Sequence, residues 1–156
     1  MDLQDYLGRR YVDGRADCYG LVRDFYRREY GLLLRNYARP VGFDQSGLML
    51  LTDNFRREGF DIVNVPLALL EPGDGLLMML ASKHVNHVGV YIGQRKVLHH
   101  LYRRPSTVDT LDPRWQQRLS LVVRHPDVTE QNRRNLPKQE FMDLLPPHLR
   151  TKVFTT

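Results

Sequence analysis

A single cysteine, Cys18, stands in 156 residues. One thiol rules out an internal disulfide framework and a cysteine-rich zinc site. Long apolar runs are missing as well, and nothing approaches the roughly 18 consecutive apolar residues of a membrane span. The start carries no apolar leader core, because Met1-Asp-Leu-Gln-Asp5 is polar at once. The expectation is synthesis in a cytoplasm without a Sec signal. There is no internal repeat. Concentrated charge is absent too: the net charge is +5, but its arginines are dispersed in pairs at 9–10, 27–28, 56–57, 103–104 and 133–134. Scattered pairs read as solvated faces rather than as a nucleic-acid stripe. What remains is 42% apolar and 26% charged, the composition of one globular domain with one sizeable core.

The chain is organised around Asp17-Cys18-Tyr19-Gly20-Leu21-Val22. A lone cysteine can be a small buried hydrophobe or a reactive thiol, and composition favours the first. Position favours the second. Residues 11–17 read as a loop, with Gly14 and two aspartates offering turn chemistry. After Cys18, apolar residues at Leu21, Val22, Phe25, Tyr26 and Tyr30 follow helical spacing, and Gly31 supplies a stop. Cys18 is therefore expected at a helix N-terminus, where free N–H groups and the helix dipole stabilise a thiolate.

Further along, residues 32–42 read as a loop and 44–58 as a second helix stopped by Gly59. Residues 60–65 form a short β-like run. Glu71-Pro-Gly-Asp74 is a turn that launches the unbroken apolar run 75–80, predicted to be a strand buried on both faces. His87–Ile92 alternates as a strand, Gly93-Gln-Arg95 turns, and residues 96–101 pair back as a hairpin. An Arg-, Pro- and Thr-containing loop follows, and residues 118–124 read as the last strand. Helices first and an antiparallel sheet after give an α+β class. Residues 1–125 are assigned to this domain. Residues 126–156, with four of the nine prolines, read as a C-terminal extension with one short helix near 138–145, either a disordered tail or a docking arm.

A thiol needs a base, and a base needs an orienting group. His87 opens a strand at the sheet rim, and His99 lies twelve residues on, across the hairpin turn. Cross-strand neighbours come within side-chain reach, so the pair can serve a nucleophile or stand as two polar residues on a solvent face. His100 is expected on the face opposite His99. A zinc site built from His84, His87, His99 and His100 is a rival, but the spacing does not bring the rings to one side and no carboxylate lies close in sequence.

Together these segments resemble the NlpC/P60 cysteine peptidases, which have a papain-like α+β fold. Asp17-Cys18-Tyr-Gly-Leu-Val22 is similar to their D-C-x-G-x-V nucleophile signature, and Pro72-Gly-Asp74 to the P-G-D-x-L before their sheet. Asn86-His87-Val-Gly-Val-Tyr-Ile-Gly93 resembles the strand with their catalytic His, and Val97-Leu-His99 the F-I-H of their third polar residue. Tyr11, in Gly8-Arg-Arg-Tyr11, resembles a tyrosine near their oxyanion site, with Arg10 in place of the usual proline and a shorter loop to Cys18. The sequences around Cys18 and Leu98-His-His-Leu101 are similar to the phage tail subgroup, the lambda tail-assembly K-like proteins.

That resemblance implies a phage tail peptidase cutting peptidoglycan stem peptides next to a γ-linked D-glutamyl residue, with no cofactor and no metal. Cys18 would attack, His87 act as base, His99 orient it, and Tyr11 assist the oxyanion. Partners would be the peptidoglycan peptide and tail-tip proteins. The protein would be carried in the virion tail to act on the bacterial wall, with no membrane span and no nucleic acid. A structural tail component that keeps the site but has lost the task remains the alternative.

Overall fold

Helix α1, Cys18–Tyr30, is capped at both ends by side-chain and backbone chemistry present in its sequence. Asp17 accepts a hydrogen bond from the Gly20 N–H at its start, and Gly31 adopts the left-handed conformation at its end. Its apolar face, Leu21, Val22, Phe25 and Tyr26, is buried. This computed structural model describes residues 1–42 and 50–135. A short α2, Leu50–Asn54, follows and buries Leu51. The expected second helix begins at residue 44, so its first turns lie outside the described residues, as does the helix expected over 138–145.

Six antiparallel strands form one sheet in the order β1-β6-β2-β3-β4-β5. They are β1 Asp61–Ile62, β2 Gly75–Met78, β3 His87–Tyr91, β4 Lys96–His99, β5 Thr107–Thr110 and β6 Leu119–Arg124. Every residue of β2 and β3 is buried. The reason is visible in the alternation. Leu77, Val88, Val90, Leu98 and Val123 pack with α1, while Leu76, Met78, Tyr91, Val97 and Val122 pack on the other face with Leu111 and Trp115. The sheet is covered on both sides, as the unbroken apolar run of β2 predicts. With α1 on one face, the architecture is α+β.

Two stretches depart from the sequence reading. Residues 107–117, read as loop, form β5 and most of α3, Pro113–Arg118, whose last residue was read as the start of the final strand. Asp112 caps that helix, accepting from the N–H groups of Arg114 and Trp115, and Pro113 takes the first helical position. Residues 126–135 form α4, Pro126–Asn135, packed onto the domain. Its Val128 is buried, and Gln131 and Asn132 donate to the carbonyls of Tyr30 and Pro72. No helix among the described residues is long and apolar enough to cross a membrane.

The Pro72-Gly-Asp74 turn is fixed from both sides. Asp74 accepts from the Glu71 N–H and forms a two-pronged pair with Arg124 of β6, at 2.7 and 2.8 Å. That bidentate geometry locks the start of β2 against its neighbour.

Candidate active site

Cys18 takes its place from the loop before it. Val12 and Ala16 bridge across a tight turn, with Val12 N–H donating to the Ala16 carbonyl at 2.9 Å. The buried Asp17 carboxylate accepts from the N–H groups of Gly14 and Gly20 and from Arg39. Gly20 is required because the Arg15 carbonyl comes so near that a Cβ would lie 2.1 Å from its oxygen. The D-C-x-G pattern is thus a packing requirement as much as a chemical one.

The two histidines arrive by strand register. Gly89 of β3 is paired with His99 of β4, so His87 and His99 are diagonal neighbours. His87 Nε2 lies 3.1 Å from His99 Nδ1. Their rings stand on the Trp115 face, where Trp115 meets His99 edge-on at 4.8 Å between centroids. Asn86, just before His87, holds the 81–85 loop closed by bonding both the N–H and the carbonyl of Leu80.

A cleft of about 450 Å³ joins these groups. Cys18, His87, Tyr11, Asn86 and His100 line it, with Trp115, Arg104 and Arg118 on its walls. Cys18, His87 and Tyr11 therefore share one cavity, and His99 reaches it through His87. Tyr11 is held between two rings, His100 at 5.2 Å and Tyr102 at 5.3 Å, both edge-on. His100, one residue beyond the end of β4, also lines the cleft. It is buried, and neither ring nitrogen makes a hydrogen bond. Backbone groups of Arg9 and Arg104 approach the ring without reaching that geometry.

Electrostatics differ from the expectation of a ready thiolate. Burial, and then the charge of Asp17, push the Cys18 thiol up to about 12. Backbone contacts from Val88 and Tyr19 and the charge of Arg39 oppose the shift without reversing it. A helix terminus offers a modest stabilisation of an anion, and here desolvation outweighs it. Burial, followed by the neighbouring His99 and His100, holds His87 well below the usual histidine range. His99 is lowered by burial despite its contact with Asp109, and His100 is lowered by burial as well. The resting pair is a neutral thiol beside a neutral imidazole.

Sequence reasoning missed Asp109, whose Oδ2 lies 2.8 Å from His99 Nε2. Its signal was weak: β5 is a four-residue strand inside a stretch of turn-forming residues. Trp115 was findable, since Asp112-Pro113 is a helix-start signature. Among the described residues no group of three or more His, Cys, Asp or Glu side chains is arranged to hold a metal ion.

Comparison with known proteins places these features in context. The sequence profile of the NlpC/P60 family matches residues 8–124. Tail tip assembly protein K of Escherichia phage lambda is 34% identical over 118 residues, covering 76% of this chain and 58% of that protein. Its counterpart from Escherichia phage N15 is 30% identical over 127 residues, covering 78% and 50%. The chain thus spans between half and three-fifths of the length of these relatives. A solved structure from Staphylococcus aureus, described as similar to lipoprotein of the NLP/P60 family, aligns with a TM-score of 0.54 at 21% identity. The alignment covers 77% of this chain and 37% of that one, and it is a likeness of fold.

Proposed function

The chain belongs to the NlpC/P60 family, and on that premise we propose that it is a phage tail-associated cysteine peptidase. Its substrate is the peptide stem of peptidoglycan, cut beside a γ-linked D-glutamyl residue and a diamino acid. The carrying observation is that the chain's one cysteine shares a cleft with His87, which sits 3.1 Å from His99. The likeness to two tail tip assembly proteins supports a place in the virion tail with tail-tip partners, acting on the wall during entry or assembly.

In this reading His87 takes the Cys18 proton as sulfur attacks the scissile carbonyl, so general-base transfer and bond formation proceed together. That suits a thiol held neutral by burial. The Cys18 backbone N–H, at the free N-terminus of α1, and the Tyr11 hydroxyl stabilise the oxyanion. Collapse breaks the carbonyl–nitrogen bond, and protonated His87 gives its proton to the leaving amine. Water then adds to the thioester with His87 again as base, releasing the acid and restoring the thiol. His99 orients His87 throughout.

A second reading rests on one observation: Cys18 is only 3% exposed. A structural tail-tip component with a latent site would show such burial. The deciding experiment is digestion of purified peptidoglycan by wild type and Cys18→Ala, with fragments identified by mass spectrometry. Stem-peptide fragments from wild type alone support the peptidase and name its bond. No release by wild type favours the latent component.

A further inference from the structure

The hydrogen-bonded chain behind the thiol does not stop at His99. Asp109 of β5 sits at 2.8 Å from His99 Nε2, and His99 Nδ1 sits at 3.1 Å from His87 Nε2. Each link has only one workable direction. A carboxylate accepts and does not donate, so the proton of neutral His99 belongs on Nε2. Nδ1 of His99 is then a bare acceptor, and the bond to His87 forms only if His87 carries its own proton on Nε2. That leaves Nδ1 of His87 unprotonated, the form a general base needs.

We propose that Asp109 is a positioning residue that sets the protonation order of both histidines, so that His87 is held as a base with Nδ1 free. This rests on the peptidase reading above. Without Asp109, neutral His99 is free to carry its proton on Nδ1. It would then donate to His87 Nε2, drive the His87 proton to Nδ1, and leave no lone pair for the thiol. The two arrangements of the histidine pair are otherwise equivalent in hydrogen-bond count, and the carboxylate is what separates them. Proton accounting closes within the chain. When His87 Nδ1 takes the thiol proton, Nε2–H stays directed at His99, and the new positive charge faces a carboxylate one ring further on. The proton later leaves from Nδ1 to the departing amine, and nothing need pass through His99.

Packing supports a fixed role. Trp115 covers one edge of the His99 ring, and His99 is fully buried. Asp109 is paired with Val97 in the β4–β5 ladder, which holds its backbone in place. Among the described residues, His100 acts on His87, while Cys18, Arg104 and Arg118 line the same cleft and the exposed Arg114 lies near Asp109. The carboxylate side chain is 37% exposed, so its effect is softened by solvent.

The test is nitrogen-15 NMR of the imidazole rings in wild type and Asp109→Ala, alongside kcat and KM on peptidoglycan stem peptides. Wild type should show both His87 and His99 protonated on Nε2 at pH 8. Asp109→Ala should move part of the His87 population to the Nδ1-protonated form and lower kcat by about ten- to a hundredfold with KM little changed. A thermal melt checks that the variant is folded. Three results overturn the proposal: Nδ1-protonated His87 in wild type, ring protonation unchanged in a folded Asp109→Ala, or a shift in protonation with kcat unaltered. The NMR measurement needs no turnover, so an inactive wild type would reject the peptidase while the protonation order was still decided.

Discussion

Arg39 Nε lies 2.6 Å from Asp17 Oδ2, with the two side chains 2% and 0% exposed. The pair joins the residue that caps α1, immediately before Cys18, to a loop 22 positions away. Arg39 also donates to the carbonyls of Gly14 and Tyr37 and to the Asn36 side chain, so its guanidinium is well satisfied. The helix that begins at Cys18 is therefore fixed in place by a buried ion pair and not by apolar packing alone.

Removing one partner should be costly. Arg39→Met leaves Asp17 buried without a counter-charge, and breaking such a pair costs about 3–5 kcal/mol. Urea unfolding should show a loss of that size. The double variant Asp17→Asn/Arg39→Met should recover much of it, because no isolated charge then remains. A single variant as stable as wild type would show that the pair contributes nothing.

Gly20 tests the close approach at the helix start. On propensity alone, alanine in a helix is better than glycine by about 1 kcal/mol. Here the new Cβ would sit 2.1 Å from the Arg15 carbonyl oxygen and 3.2 Å from Asp17 Oδ1. Backbone cannot yield as a flexible side chain does, and overpacking commonly costs about 1–3 kcal/mol. Gly20→Ala should lower the melting temperature and reduce activity together. A more stable variant would mean that helix propensity prevails.

Elements with a strong local pattern were legible in the sequence. Helix α1 is bounded where Cys18 and Gly31 predict, since its cap, stop and apolar stripe are all local. The hairpin carrying His87 and His99 was legible for the same reason, through alternation and Gly93. Contacts that depend on distant partners were not. Arg39 lies in a stretch without periodicity, and Asp109 occupies a four-residue strand whose pairing with β4 creates its role. That His100 lines the cleft was not legible, because the cleft gathers residues from several elements and His100 stands one residue beyond β4.

Alkylation of Cys18 reports the state of the thiol. Burial raises it to about 12, so the neutral form prevails throughout the physiological range. At pH 7 the thiolate is then about one part in a hundred thousand. The iodoacetamide rate should climb close to tenfold per pH unit from 7 to 10 with no plateau. A plateau below pH 8 would instead reveal a preformed thiolate, and the helix terminus would outweigh desolvation after all.

Acid stability follows from the buried histidines. His87, His99 and His100 all titrate below their usual value of 6.5, burial being the leading cause in each. The unfolded chain therefore binds protons before the folded protein does. Stability is fully present above pH 6.5 and is lost as pH falls toward the folded values, by up to about 1.4 kcal/mol per pH unit for each histidine. Asp24 and Asp112 are shifted below 3.8 by their arginine contacts and act only at lower pH. His100→Leu isolates one contribution. Both ring nitrogens of His100 lack a hydrogen bond, so an apolar side chain of similar size should leave stability at pH 8 unchanged or raised. The same variant should lose stability less steeply between pH 6.5 and 5, by the share of one proton. Chemical denaturation of the two proteins across that range is the measurement. Equal slopes would mean that His100 does not stay neutral in the fold, and a large loss at pH 8 would mean that its ring has a partner worth keeping.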